Sequence, residues 1–257
     1  MLVASNLTVR AGQKDLLDEV SVQFEAGRLN LVIGPNGAGK STLIKALSGQ
    51  VKPAAGSIRM HDRPLTEWSL GELARHRAVL SQNIDLAFPL TVQEVVMMGR
   101  YPHFQNKPGE KDRLAVQESM HYFDVSELSG RNYLTLSGGE KQRVHFARVA
   151  AQLWYQHGDV PRYLLLDEPL TFLDVYHQFQ FMHHIRELVG KGNWVVVGVV
   201  HDLNLAARFG DQIVLLHNGA VIAQGQPREV LTAHNVSRAY HLTPTVHDHG
   251  GVLQLVF

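Results

Sequence analysis

The chain has 257 residues, 45% of them hydrophobic, enough to bury a substantial core in one large domain or two closely joined ones. Lys plus Arg and Asp plus Glu both number 24, and this zero net charge argues against a dedicated nucleic-acid binder. There is no cysteine for disulfides or thiolate metal sites, no basic n-region followed by an apolar block, and no apolar run near the about 20 residues of a membrane span.

Residues 2–10 alternate apolar and polar side chains and predict a strand, as do 20–24 before a turn at Gly27. Residues 29–33 are a short apolar run ended by Gly34, the pattern of a buried strand. Residues 41–48 read as a helix that Gly49 can close, and 57–60 as a strand after a Pro53/Gly56 turn. Ser69-x-x-Glu72 and Thr91-x-x-Glu94 match the capping box, so helices are expected to start near 70 and near 92, with a strand over 79–81 between them. From about 85 to 155 the pattern is mostly helical, broken by a polar turn at Asn106-Lys107-Pro108-Gly109. Strand-like runs return at 163–166, 194–200, 213–216 and 221–223, with a long helix over roughly 176–190 after the first. Strand–helix–strand alternation behind a Gly-rich first turn predicts an α/β fold, a mostly parallel sheet covered by helices, with the helical middle as an inserted subdomain.

Gly34-Pro35-Asn36-Gly37-Ala38-Gly39-Lys40-Ser41-Thr42 satisfies G-x-x-x-x-G-K-[ST] between a predicted strand and a predicted helix. Glycines let backbone N–H groups close around phosphate oxygens, and a helix N-terminus adds a favourable dipole. Lys40 is expected at the β- and γ-phosphates of ATP, Ser41 on Mg²⁺ and Thr42 at a neighbouring phosphate contact. Asp167 and Glu168 end an apolar strand. With a phosphate cradle nearby, Asp167 is expected in the Mg²⁺ shell through water and Glu168 as general base for the attacking water. His201 follows the run 194–200 and so leaves the sheet at a strand end, where ligands of open α/β sheets bind. It is expected to contact the γ-phosphate and to position both water and Glu168. Gln82 follows the strand at 79–81, where its side-chain carbonyl can complete Mg²⁺ coordination and report to the helical insert. Ser137-Gly138-Gly139-Glu140 is a capping box in Ser137 and Glu140. Two consecutive glycines weaken a helix start, however, unless something approaches the backbone closely, and a phosphate would supply that reason.

Gly34–Thr42, Gln82, Leu136–Gln142, Leu164–Glu168, Asp174 and His201 together resemble the Walker A, Q-loop, signature, Walker B, D-loop and H-loop of ATP-binding cassette ATPases. The resemblance runs over nearly the whole chain. It implies a P-loop NTPase (RecA-like) core with an N-terminal antiparallel β subdomain, 1–84 and 156–257 forming the catalytic part and 85–155 the inserted helical subdomain. It also implies a head-to-tail dimer in which Ser137, Gly138, Gly139 and Glu140 of one copy face ATP held by Lys40 of the other, with Asp174 at the same site. One motif set per chain makes a second copy the simplest partner. Many cassettes stack an aromatic residue near position 11 on adenine. Here Val9-Arg10-Ala11-Gly12 has none, so Arg10 or an apolar contact is expected in its place.

The segment from Phe88 to His103 resembles that of cassettes serving vitamin B12, ferric siderophore and haem importers, in which this face receives a helix of the membrane permease. Ala151-Gln152-Leu153-Trp154, a short polar insert, then Pro161 to Glu168 look most like the haem importers. The resemblance thus implies an ATPase on the cytoplasmic face of a bacterial inner membrane, with two permease subunits and, indirectly, a periplasmic binding protein. His183-His184 and His247-Asp248-His249 read as surface histidines, the first pair diverging on a helix and the second cluster lying in a C-terminal loop. Nothing points to a ribosome- or DNA-directed cassette, since the chain has neither tandem cassettes nor coiled-coil arms. A GTPase would carry Asn-Lys-x-Asp, but Asn106-Lys107 continues as Pro108-Gly109.

Overall fold

The computed structural model describes residues 1–81, 86, 88–155 and 158–257. Strand β1 (Leu2–Ala11) turns through Gly12 into β2 (Lys14–Phe24), and the pair buries Leu2, Leu7 and Val9 against Leu17, Val20 and Phe24. Strand β2 begins at Lys14 rather than near residue 20. Its first turn of chain pairs with the end of β1, and the exposed Lys14, Asp15, Asp18 and Glu19 hide the alternation in the sequence. Strand β3 (Arg28–Ile33) is buried almost throughout and runs through the glycine loop into helix α1 (Lys40–Leu47). Strands β4 (Ala55–Met60) and β5 (Arg63–Pro64) complete an antiparallel sheet in the order β2-β1-β4-β5.

Helix α2 (Leu70–His76) starts at the Ser69–Glu72 capping box and leads into β6 (Arg77–Leu80). Helix α3 (Val92–Met97) starts at the Thr91–Glu94 box, and a 3₁₀ stretch, Met98–His103, follows it. Helices α4 (Glu110–Tyr122) and α5 (Gly138–Leu153) come next, separated by short 3₁₀ turns that the helical pattern of 85–155 does not announce. These helices pack on one another, locked by the buried Arg100, whose Nε lies 3.0 Å from Asp112 and whose Nη1 donates to the Ala151 carbonyl at 2.7 Å.

The chain then alternates β7 (Arg162–Leu166), α6 (Val175–Gly190), β8 (Trp194–Val199), α7 (Leu203–Phe209), β9 (Gln212–His217) and β10 (Ala220–Gly225). Helices α8 (Pro227–Val230) and α9 (Ala233–Tyr240) precede a hairpin of β11 (Thr245–His249) and β12 (Val252–Val256). The loop expected at His247-Asp248-His249 is therefore a strand. Gly250 and Gly251, with φ of 60° and 97°, make the tight turn that folds it back on β12.

Strand order in the main sheet is β10-β9-β3-β8-β7-β6, parallel throughout except for β10 on its edge. Every residue of β8 is buried, as expected of a central parallel strand covered on both faces. Alternation divides the core: Leu164, Leu166 and Val196 join α5 and α6 on one face, while Leu165, Val195 and Val197 join α1 and the antiparallel sheet on the other. The carboxyl ends of β3, β7 and β8 thus lie side by side, since β3 and β7 both flank β8. That edge collects the glycine loop, Asp167-Glu168 and His201.

Candidate active site

The glycine loop is shaped by backbone that residues with a side chain rarely adopt. Gly34, Gly37 and Gly39 have φ of 151°, 79° and 100°, and a Cβ on Gly34 would stand 2.2 Å from the Leu216 carbonyl oxygen. The loop wraps Lys40, which is 5% exposed and donates through Nζ to the carbonyls of Gly34 at 2.7 Å and Pro35 at 3.0 Å. Burial lowers the Lys40 pKa, while Glu168 and Asp167 pull it back up. Helix α1 begins at Gly39 with no side-chain cap, whereas α2, α3, α5, α6, α7 and α9 all carry one. Its first-turn N–H groups are the ones left for an anion. A 260 Å³ cavity opens over this end, lined by Asn36, Gly37, Ala38, Gly39, Lys40, Ser41 and Thr42, with Lys14, Leu16 and Glu168 completing the wall.

Asp167 lies opposite α1. It is 5% exposed, and its Oδ1 accepts the Ser41 hydroxyl at 2.9 Å. Burial raises its pKa from the ordinary aspartate value, partly opposed by the Ser41 hydrogen bond. Its backbone N–H donates to the Leu80 carbonyl, so the carboxylate is fixed to the end of β6 as well as β7. Gln82, two residues beyond Leu80, lies outside the described residues.

Glu168 takes a left-handed backbone, φ 51°, which turns it out of the strand direction. Its carboxylate oxygen Oε1 stands 2.9 Å from His201 Nε2, with the two side chains 16% and 47% exposed. Glu168 borders the glycine-loop cavity and also a second one of 250 Å³, which His201, Asp202, Thr171 and Leu205 help to line. A carboxylate in this position, 2.9 Å from the imidazole and bordering both cavities, can accept a proton from water.

The remaining expected residues stand apart. Ser137 caps α5, accepting the Glu140 N–H at 3.3 Å, while Glu140 accepts the Ser137 N–H at 2.7 Å and faces Arg131 at 3.2 Å. These N–H and hydroxyl donors lower the Glu140 pKa. A Cβ on Gly138 or Gly139 would make only ordinary contacts with Phe172 and Leu173, so packing within the chain does not explain either glycine. Asp174 is likewise a cap, accepting the His177 N–H at 2.9 Å, and that hydrogen bond lowers its pKa. Among the described residues no hydrogen bond joins Ser137–Glu140 or Asp174 to the glycine loop. Gln142 tethers α5 to the segment after Glu168 by donating to the Pro169 carbonyl at 2.7 Å.

Arg10 does not line the cavity and is paired with Asp15 at 2.6 Å. The wall facing the loop on that side is Leu16 with Lys14. Sequence reasoning left an apolar contact open without finding Leu16. No sequence signal marks it, because the face that Leu16 takes follows from the pairing of its buried neighbour Leu17 with Val9 across the hairpin.

Residues 17–171 match the ABC transporter family. The chain is 44% identical over 246 residues to the hemin import ATP-binding protein HmuV of Escherichia coli O157:H7, spanning 96% of this chain and 94% of that one. It is 45% identical over 249 residues to the hemin import ATP-binding protein HmuV of Gloeobacter violaceus, spanning 97% and 90%. Among solved structures it is similar to a dimeric post-hydrolysis ATP-binding cassette bound to ADP and Pi, with TM-score 0.75, 26% identity, and 89% of this chain and 99% of that one covered. With that fold and that edge of the sheet, the chain belongs to the ABC transporter family as one of its ATP-hydrolysing cassettes.

Proposed function

We propose that this cassette powers the import of haem through a permease of the inner membrane. The chain is one ATPase unit over 1–257, with 1–84 and 156–257 as its core and 85–155 as the helical insert that meets the permease. The observation that carries the catalytic part is Glu168 on the wall of the phosphate cavity, its carboxylate 2.9 Å from His201 Nε2 and adjacent in sequence to Asp167 of the Ser41–Asp167 pair. The haem cargo is supported by relatives named for hemin import at 44% and 45% identity over nearly the full chain.

The backbone of Gly34 to Gly39 and the first turn of α1 receive the triphosphate, and Lys40 turns its ammonium from the loop carbonyls to the β- and γ-phosphates. Ser41, Asp167 and Gln82 would hold Mg²⁺. The donor set fits a hard cation, and burial of Asp167 creates a local demand for positive charge. The ion supplies neutralisation of phosphate charge when bound. Glu168 takes the proton of the attacking water, and His201 fixes the carboxylate while reaching the γ-phosphate. Ser137, Gly138, Gly139 and Glu140 of a second copy, with its Asp174, complete the site from across a head-to-tail dimer. The exposed cap and the glycines unexplained within one chain support this, as does the dimeric state of the similar cassette. Among the described residues no helix is long and apolar enough to cross a membrane. A peripheral place on the cytoplasmic face, beside two permease subunits served by a periplasmic binding protein, supplies the membrane path.

Two measurements test this. Glu168→Gln is expected to bind ATP like the parent chain and to hydrolyse it at least about 10²-fold more slowly; an unchanged rate removes Glu168 as the base. Proteoliposomes carrying the cassette with its permease are expected to take up haem in an ATP-dependent manner. Preference for a ferric siderophore or for cobalamin would reassign the cargo and leave the ATPase intact.

A further inference from the structure

We infer that Asn204, gripped by the C-terminal hairpin, is a positioning residue that holds His201 against Glu168. This rests on the role proposed above for His201. The side chain of Asn204 makes a reciprocal pair with one residue of β12: Nδ2 donates to the Leu255 carbonyl at 3.1 Å, and Oδ1 accepts the Leu255 N–H at 2.8 Å. Asn204 thereby occupies the outer edge of β12 as a third strand would, and α7 is fastened to the hairpin at its first turn. The apolar face of β12 reinforces the attachment, because Leu253 and Leu255 are buried in the same core as Leu203 and Leu205. A salt bridge from Arg228 to Asp248, 2.7 Å, ties the other strand of the hairpin to α8.

The path from that grip to the imidazole is short. On the strand side, the Val200 N–H donates to the Val32 carbonyl and anchors the chain to β3. On the helix side, Asp202 accepts the N–H groups of Asn204 at 2.7 Å and Leu205 at 3.0 Å, so the cap of α7 closes on the residue that the hairpin holds. His201 lies between these two anchors, its imidazole 47% exposed and its Nε2 2.9 Å from the Glu168 carboxylate. Strand β8 fixes one side of it directly. The other side is only as fixed as the start of α7, a helix of 7 residues. A short helix is a weak anchor by itself, and a second attachment at its first turn offsets that weakness. Catalytic groups lose rate steeply when displaced by about 1 Å, so the hairpin bears on hydrolysis without touching nucleotide.

The test uses the full-length chain with ATP and magnesium. Asn204→Ala removes both hydrogen bonds and is expected to lower kcat about tenfold with KM for ATP unchanged. In imidazole ¹⁵N NMR the same variant should shift or broaden the His201 resonance and leave that of the buried His145 in place. Asn204→Asp, which keeps the acceptor and loses the donor, should fall between parent and Ala variant; if the Ala chain does not fold, the Asp chain carries the comparison. A wild-type kcat, a loss expressed equally in KM, or a lower kcat with an unmoved His201 signal overturns the inference. His201→Ala is run beside them. Full activity there overturns the role of His201 itself, whereas a defect in His201→Ala with full activity in the Asn204 variants overturns only the positioning.

Discussion

His145 shows how burial sets the chemistry of a single side chain. It sits in α5 behind the signature turn, 4% exposed, with Nε2 2.8 Å from the Tyr133 hydroxyl, and its Nδ1 has no hydrogen-bond partner among the described residues. Burial first, then the positive charges of Arg148 and Lys141, push its pKa down to about 3. Between about pH 3 and the unfolded value near 6.5 the unfolded chain binds a proton that the native chain does not, so stability falls as pH drops through that window. One proton over the interval from pH 6.5 to 5 amounts to about 2 kcal/mol. His145→Gln keeps a partner for Tyr133 and cannot ionise, so its urea midpoint should fall less than the parent's between pH 7 and pH 5. Parallel declines would show that His145 contributes nothing to acid sensitivity. This histidine carries no signal in the sequence, where it is one of 15. Lys40 was legible from the glycine motif around it, and Asp167, Glu168 and His201 because they follow apolar runs whose ends a parallel sheet brings together. Leu16 was not, because which face of β2 it takes depends on the pairing of β2 with β1.

Among the elements, the helical insert is held by an ion pair that no periodicity reveals. Arg100 is buried at the 3₁₀ stretch after α3, Asp112 lies in the first turn of α4, and the Ala151 carbonyl belongs to α5, so one guanidinium joins three segments. A Cβ on the adjacent Gly99 would lie 2.1 Å from the Arg148 carbonyl oxygen, which is how closely the stretch approaches α5. Asp112→Ala would leave a buried cation without its carboxylate and should cost about 3 kcal/mol. Replacing both members, Arg100→Met with Asp112→Leu, should recover much of that loss, because an apolar pair carries no desolvation penalty. Urea midpoints of the two variants check the contrast; equal loss in both would mean that packing rather than charge holds the segments. Capping boxes made the starts of α2, α3 and α5 readable from residue types alone. The strand β11 was missed for the opposite reason: its His-Asp-His sequence has low strand preference, and only pairing with β12 across Gly250-Gly251 makes it extended.

For the whole molecule, the separation of the two motif sets within one chain has a direct consequence for assembly. The cap at Ser137 is exposed and, among the described residues, makes no hydrogen bond to the glycine loop, which agrees with the proposed reading that a site using both draws them from two copies. In a head-to-tail dimer each site then takes Lys40 from one copy and Ser137 from the other. Lys40→Ala disables the loop of its own chain and spares its cap, whereas Ser137→Arg disables the cap and spares the loop. Each variant alone builds dimers with two damaged sites. Mixed, they build heterodimers in which the intact Lys40 of one chain meets the intact Ser137 of the other, while the second site carries both lesions. Random pairing makes about half the dimers mixed, and each of these has one of two sites whole, so the mixture should recover up to about a quarter of parental ATP hydrolysis. In a Glu168→Gln background, where turnover is blocked, the same mixture should sediment partly as dimer with ATP and magnesium while either variant alone stays monomeric. Sites completed within one chain would make each variant's defect its own, and mixing would then restore neither hydrolysis nor association.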